Sequence, residues 1–133
     1  MNNKKLPAIL FYLYLLVLLN ITVIRNFNFR GRSINLTLII GYIPIFRNSI
    51  SRFIYLFVGN LVWFMPFGFF LVFYKKKSFW KTVFFGFLLS LFIEVMQYIL
   101  GTGVSEVDDL ILNTLGCIIG AVIGLISLHR RLD

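Results

Sequence analysis

An all-α membrane protein, a bundle of about four transmembrane helices, is the fold class that three observations predict. Apolar residues make up 59% of the 133-residue chain, and its mean hydropathy is +0.91. They come in long uninterrupted blocks, the pattern of a chain whose solvent is lipid. Charged residues are only 14% of the chain and sit mostly between the blocks.

The first block, Leu6 to Ile24, follows Lys4 and Lys5. At about 19 residues it exceeds a typical signal core, and no small-residue cleavage site ends it, so it reads as an uncleaved helix. The second span is expected over Phe53 to Tyr74, the third over Phe79 to Leu100 and the fourth over Leu110 to Leu128. Lys75-Lys76-Lys77 separates the second and third; a short acidic loop, Gly101 to Asp109, separates the third and fourth. The whole chain, 1–133, is expected to form one transmembrane domain.

Residues Arg25 to Arg52 form the longest connection, framed by Arg25, Arg30, Arg32, Arg47 and Arg52. Within it, Ile34 to Phe46 is apolar apart from Asn35 and Thr37 and contains Gly41 and Pro44. About 13 residues do not cross a hydrocarbon core about 30 Å thick. The segment is expected to be interfacial, re-entrant, or a lid on the bundle.

The net charge of +8, from 13 basic and 5 acidic residues, belongs to the flanks of the spans. It is read as topology-setting and headgroup-binding charge, with membrane lipids as partners and no nucleic acid. Lys4, Lys5, Lys75, Lys76, Lys77, Lys81, Arg130 and Arg131 fall on one side, and Arg25, Arg30, Arg32, Arg47 and Arg52 on the other. The excess places both termini in the cytoplasm of a multi-pass membrane protein. Cys117 and His129 are the only residues of their kinds, so no internal disulfide forms and no Cys/His zinc site is expected. No cofactor is expected either.

Polar residues inside a span face protein or water, because lipid does not solvate them. At about 1.5 Å per residue, Asn60 lies about 10 Å from the outer end of its span, Glu94 about 9 Å, and Gln97 and Asn113 about 5 Å. Asn20 is near the same end of the first helix. Each span thus contributes an amide or carboxylate to one layer. Ser90, Glu94 and Gln97, spaced by four and three, share a helix face that Gly86 continues inward. On the last helix Asp109, Asn113, Gly116, Gly120 and Gly124 share a face, and the glycines at every fourth position form a seam for a close neighbour, within the bundle or in a homodimer.

An ionised Glu94 at that depth requires a cation, a metal or water; otherwise it keeps its proton. It reads either as a structural partner for an outer arginine, Asn60 or Asn113, or as a ligand-binding or proton-transferring group. Asp109 stands where an N-cap residue of the fourth helix would accept backbone N–H bonds. Glu94 with Asp108 or Asp109 is also a possible oxygen-ligand set for a divalent cation, although no metal is the primary expectation. Pro66 removes a backbone donor, frees the Val62 carbonyl and invites a kink; with Gly68 it marks a helix-packing region. Hydrolase, zinc-protease, phosphate-loop and dinucleotide motifs are absent from the sequence.

Three ordered stretches carry a resemblance. Asn60-Leu61-Val62-Trp63-Phe64-Met65-Pro66-Phe67-Gly68, Ser90-Leu91-Phe92-Ile93-Glu94-Val95-Met96-Gln97, and Asp109-Leu110-Ile111-Leu112-Asn113-Thr114-Leu115-Gly116 with Gly120 resemble the signatures of the VanZ-like family. Asn35-Leu36 is similar to a weaker element ahead of the second span. Many relatives carry an arginine in the loop before the aspartate; here Gly101-Thr102-Gly103-Val104 has none. If that arginine pairs with the glutamate, Arg47 or Arg52 takes its place. The resemblance implies a small bacterial cytoplasmic-membrane protein of the cell envelope, and the family is named for a protein that gives low-level resistance to the glycopeptide teicoplanin.

Three functions follow as expectations. In the first, an outward polar pocket of Asn60, Glu94, Gln97, Asp108, Asp109 and Asn113 binds an envelope lipid, a lipid-linked cell-wall precursor or a glycopeptide tail. In the second, Glu94 and Asp109 act as acid and base on a wall or lipid substrate. In the third, the layer only locks the bundle or docks another membrane protein.

Overall fold

The computed structural model describes residues 5–24, 32–36 and 42–131. Lys4, Arg25, Arg30, Thr37 and Gly41, named above, lie outside the described residues. Among the described residues, four helices are long and apolar enough to cross a membrane. The first is α1 (Leu6–Leu19), continued by a π-helical turn (Asn20–Ile24). The others are α3 (Ile50–Phe73), α4 (Phe79–Leu100) and α5 (Val107–His129). Large apolar side chains on all four face outward, among them Leu16, Ile54, Trp80, Phe92 and Ile126. A water-soluble bundle would turn such faces inward; lipid is the solvent that accepts them.

The described residues of the connection between the first two spans include a short strand and a short helix. Strand β1 (Ser33–Asn35) pairs in parallel with β2 (Val104–Glu106), in the register Ser33↔Val104, Ile34↔Ser105, Asn35↔Glu106. Helix α2 (Tyr42–Asn48) then leads directly into α3 through Ser49. The Ser49 hydroxyl accepts from the Arg52 N–H at 3.3 Å. This cap starts α3 at Ile50, three residues before the span expected from Phe53, because helix ends follow hydrogen bonding rather than hydropathy.

The other end of α4 closes on Gly101. Its φ of 63° is left-handed, and the Thr102 N–H returns to the Gln97 carbonyl at 3.1 Å. A glycine adopts that conformation without steric penalty, so the chain turns at once into β2.

Helices α3 and α5 run in the same direction as the central pair. Gly116 and Gly120 lie against the backbones of Leu61 and Met65, and Gly68 answers from α3 against the backbones of Cys117 and Ala121. A side chain at any of the three would collide with main-chain atoms. Gly124 is looser, with Val72 and Phe69 as its nearest neighbours. The small-residue seam is therefore occupied within the bundle, and the dispersion contact it permits replaces a hydrophobic driving force that lipid removes.

Helix α1 is the least enclosed span, with 11% of its window buried against 39% for α5. It is held through Phe11, stacked on Phe70 at 3.8 Å between ring centroids, and through Tyr14, whose hydroxyl donates to the Trp63 carbonyl. Pro66 lies inside an unbroken helical run. The donor from α1 thus lands one residue beyond the Val62 carbonyl that Pro66 frees.

Candidate functional site

The amide and carboxylate side chains of the four spans collect at the bundle end that carries β1, β2 and α2. Asp109 is the most connected. Its Oδ1 accepts from Asn60 Nδ2 at 2.6 Å and from the Tyr42 hydroxyl at 3.1 Å. Burial, reinforced by the charge of Asp109, holds the Tyr42 phenol above its ordinary range, so it stays a donor.

The N-cap reading of Asp109 does not hold. Helix α5 begins at Val107 with Glu106 at the cap position, and Asp109 sits within the first turn. The helix continues outward through Asp108 and Asp109 because acids in a first turn are stabilised by the positive end of the helix dipole. Asp108 is 7% exposed.

Glu94, 4% exposed, accepts through Oε2 from the Glu106 backbone N–H at 2.9 Å. Asn60 and Asn113 bond elsewhere, and Arg47 and Arg52 are exposed to the bundle exterior. The carboxylate takes the place of a cap partner for the start of α5: it satisfies an amide that the strand-to-helix transition leaves open. Glu106 in turn accepts from Asn35 Nδ2 at 3.3 Å, across the strand pair. One acidic residue thus joins β1, α4 and the head of α5.

Asn113 donates to the Ser90 hydroxyl at 3.0 Å, the deepest bond of the group and buried on both sides. Gln97 donates to the Thr22 carbonyl at 3.0 Å, inside the π-helical turn. A π-turn widens the helix and opens carbonyls to outside donors, which is the use made of it here. Among the described residues, Gln97 Oε1 and Thr102 Oγ1 here, and Thr82 Oγ1 near the start of α4, are buried without a hydrogen-bond partner.

These residues do not all line one chamber. A cavity of about 60 Å3 is walled by Asn35, Tyr42, Ile45, Leu56, Glu106, Asp108 and Asp109. Asn60 supports its wall through Asp109, while Glu94, Gln97 and Asn113 tie the surrounding helices. Beside it an apolar cleft of about 390 Å3 runs between Phe53 and Phe57 of α3 and Ile111, Leu112 and Leu115 of α5. Tyr42 and Asp108 belong to both walls. Among the described residues, no three His, Cys, Asp or Glu side chains converge as a metal-ligand set.

Tyr42, Asn35 and Glu106 are cavity residues that the polar-layer argument did not select. Asn35 stood in the sequence only as part of a weak Asn-Leu element. Tyr42 gave no signal, since a tyrosine in an apolar loop is ordinary at a membrane interface.

The four lipid-facing helices and the polar network at one end define a multi-pass helical membrane protein. Comparison with known proteins places it more closely. The VanZ/LLP1 family model matches residues 11–128. The protein named "Protein VanZ" from Enterococcus faecium is 33% identical over 120 residues, which cover 86% of this chain and 69% of that relative. This chain belongs to the VanZ/LLP1 family, as its three ordered motifs imply. No solved structure matches it.

Proposed function

We propose that this chain acts at the bacterial cell envelope by binding a lipid-anchored amphiphile, and that it contributes low-level resistance to teicoplanin. The observation that carries the reading is the junction of polar cavity and apolar cleft at Tyr42 and Asp108. An amphiphile needs both: a compartment for a polar group and a neighbouring channel for a chain. The cavity holds one small polar group at a time. Its carboxylate-rich wall accepts hydrogen bonds, which suits the hydroxyl, amide or amine groups of a sugar or peptide headgroup. The cleft suits an acyl or prenyl chain. A lipid-linked wall precursor or a lipophilic glycopeptide meets both requirements.

The basic flanks support an orientation with both termini in the cytoplasm of the bacterial membrane, which faces the polar end outward. The engagement of Glu94 Oε2 and Asp109 Oδ1 by internal donors supports binding rather than acid–base catalysis.

The test is teicoplanin and vancomycin susceptibility of a Gram-positive host expressing wild type, Tyr42→Phe, Asp109→Asn or Glu94→Gln at matched membrane levels. Protection by wild type that Asp109→Asn loses supports the reading. Equal protection by wild type and all three variants assigns the carboxylates to structure alone. No protection by wild type means that the resistance role is not this chain's.

A further inference from the structure

At the opposite end of the bundle, α1 and α3 flank a second cleft of about 350 Å3. Its walls include Leu6, Leu10 and Phe11 of α1 and Pro66, Phe69 and Phe70 of α3. The cleft is open along one side and mostly apolar, a surface that lipid chains accept. What distinguishes it is the charge at its end. Lys75 Nζ lies 5.8 Å from the centre of the Phe70 ring, which is part of the wall. Lys76 Nζ lies 5.3 Å from the Phe73 ring, which stacks on Phe69 of the same wall. Lys5 directly precedes Leu6 on the facing helix and is exposed.

The backbone adds a second observation. Lys76 has a φ of 53°, the left-handed conformation that a glycine occupies freely and a side chain occupies under strain. The Lys77 N–H returns to the Leu71 carbonyl at 2.9 Å and holds the turn. The turn thus sets the lysines that follow Tyr74 directly at the foot of α3.

We propose that this cleft is a binding site for an anionic phospholipid, its acyl chain lying between α1 and α3 and its phosphate held by Lys5 and Lys75. Charge complementarity selects the headgroup, and the apolar walls select a single chain. Tyr74, which lines the cleft and is half-exposed, sits at the level where a glycerol backbone would lie. The site is separate from the polar end and does not depend on the function proposed for it.

The experiment is native mass spectrometry of the full chain in neutral detergent, with phosphatidylglycerol and phosphatidylcholine of identical acyl chains in equal amounts. Wild type is expected to retain phosphatidylglycerol in preference, and Lys5→Gln with Lys75→Gln to lower that preference about fivefold or more, on the scale of one basic contact at a lipid surface. Arg47→Gln with Arg52→Gln, which removes equal charge at the opposite end of the bundle, is expected to keep it. Leu10→Trp, which fills the cleft, is expected to reduce retention of phosphatidylglycerol while circular dichroism still reports a folded helix bundle. Equal retention of both lipids by wild type overturns the proposal. So does an equal loss in the arginine control, which makes the effect one of net charge.

Discussion

Asn60 Nδ2 donates to Asp109 Oδ1 at 2.6 Å, joining two helices that run in the same direction. The bond closes the polar end of the seam that Gly116 and Gly120 form further along. Asn60→Ala is expected to lower stability by about 0.6 to 2 kcal/mol, the range of interhelical hydrogen bonds in membrane proteins and of a carboxylate left one donor short. Thermal unfolding in detergent measures it. No change would mean that Tyr42 alone satisfies the carboxylate.

The glycines separate by what surrounds them. Gly116→Ala and Gly120→Ala each drive a methyl group into the main chain of α3 and are expected to cost about 1 to 3 kcal/mol, as overpacking does. Gly59→Ala meets nothing within 4 Å and is expected to be neutral or to stabilise α3 by about 0.5 to 1 kcal/mol. The same unfolding assay ranks the three. An equal penalty at all three positions would contradict the packing.

Tyr42 offers a pH test. Its phenol is raised in the folded protein, so its contribution to stability is fully present below about pH 10, the ordinary tyrosine value, and is lost as pH rises through the folded value. Ultraviolet difference absorbance during alkaline titration is expected to lose one late-ionising tyrosine in Tyr42→Phe. An unchanged titration would place Tyr42 in water.

The strand pair fixes a register that crosslinking reads directly. In a Cys117→Ser background, Ser33→Cys with Val104→Cys is expected to form a disulfide on mild oxidation, because these residues are paired neighbours. Ser33→Cys with Glu106→Cys, two residues out of register, is expected not to. A reversed preference would shift the pairing of the first loop against the head of α5.

The spans were legible because lipid leaves one solution for a long apolar block: a helix that satisfies its own backbone. Hydropathy therefore located all four, and the third coincides with α4 from Phe79 to Leu100. The boundaries of α3 and α5 were less legible, since Ser49 and the enclosed Asp108 and Asp109 extend those helices into polar sequence. The three motifs likewise identified the family and the faces of Glu94 and Asn113, because residues three and four apart on a helix point the same way whatever surrounds them.

Partners are another matter. Among the described residues, Glu94 meets a backbone amide of Glu106, and Asp109 meets Tyr42 and Asn60, from segments 67 and 49 residues away. Periodicity orders residues along one helix and says nothing about which loop folds over its end. That choice belongs to the tertiary structure: the approach of α5 to α3 along glycine-lined backbone sets how close the heads of the helices come, and β1 and α2 then supply the groups that satisfy the buried carboxylates. The chain's own sequence determined a four-span membrane protein with a polar end. The packing decided that this end is a small cavity opening beside an apolar cleft, because buried charge has to find its donors wherever the fold brings them.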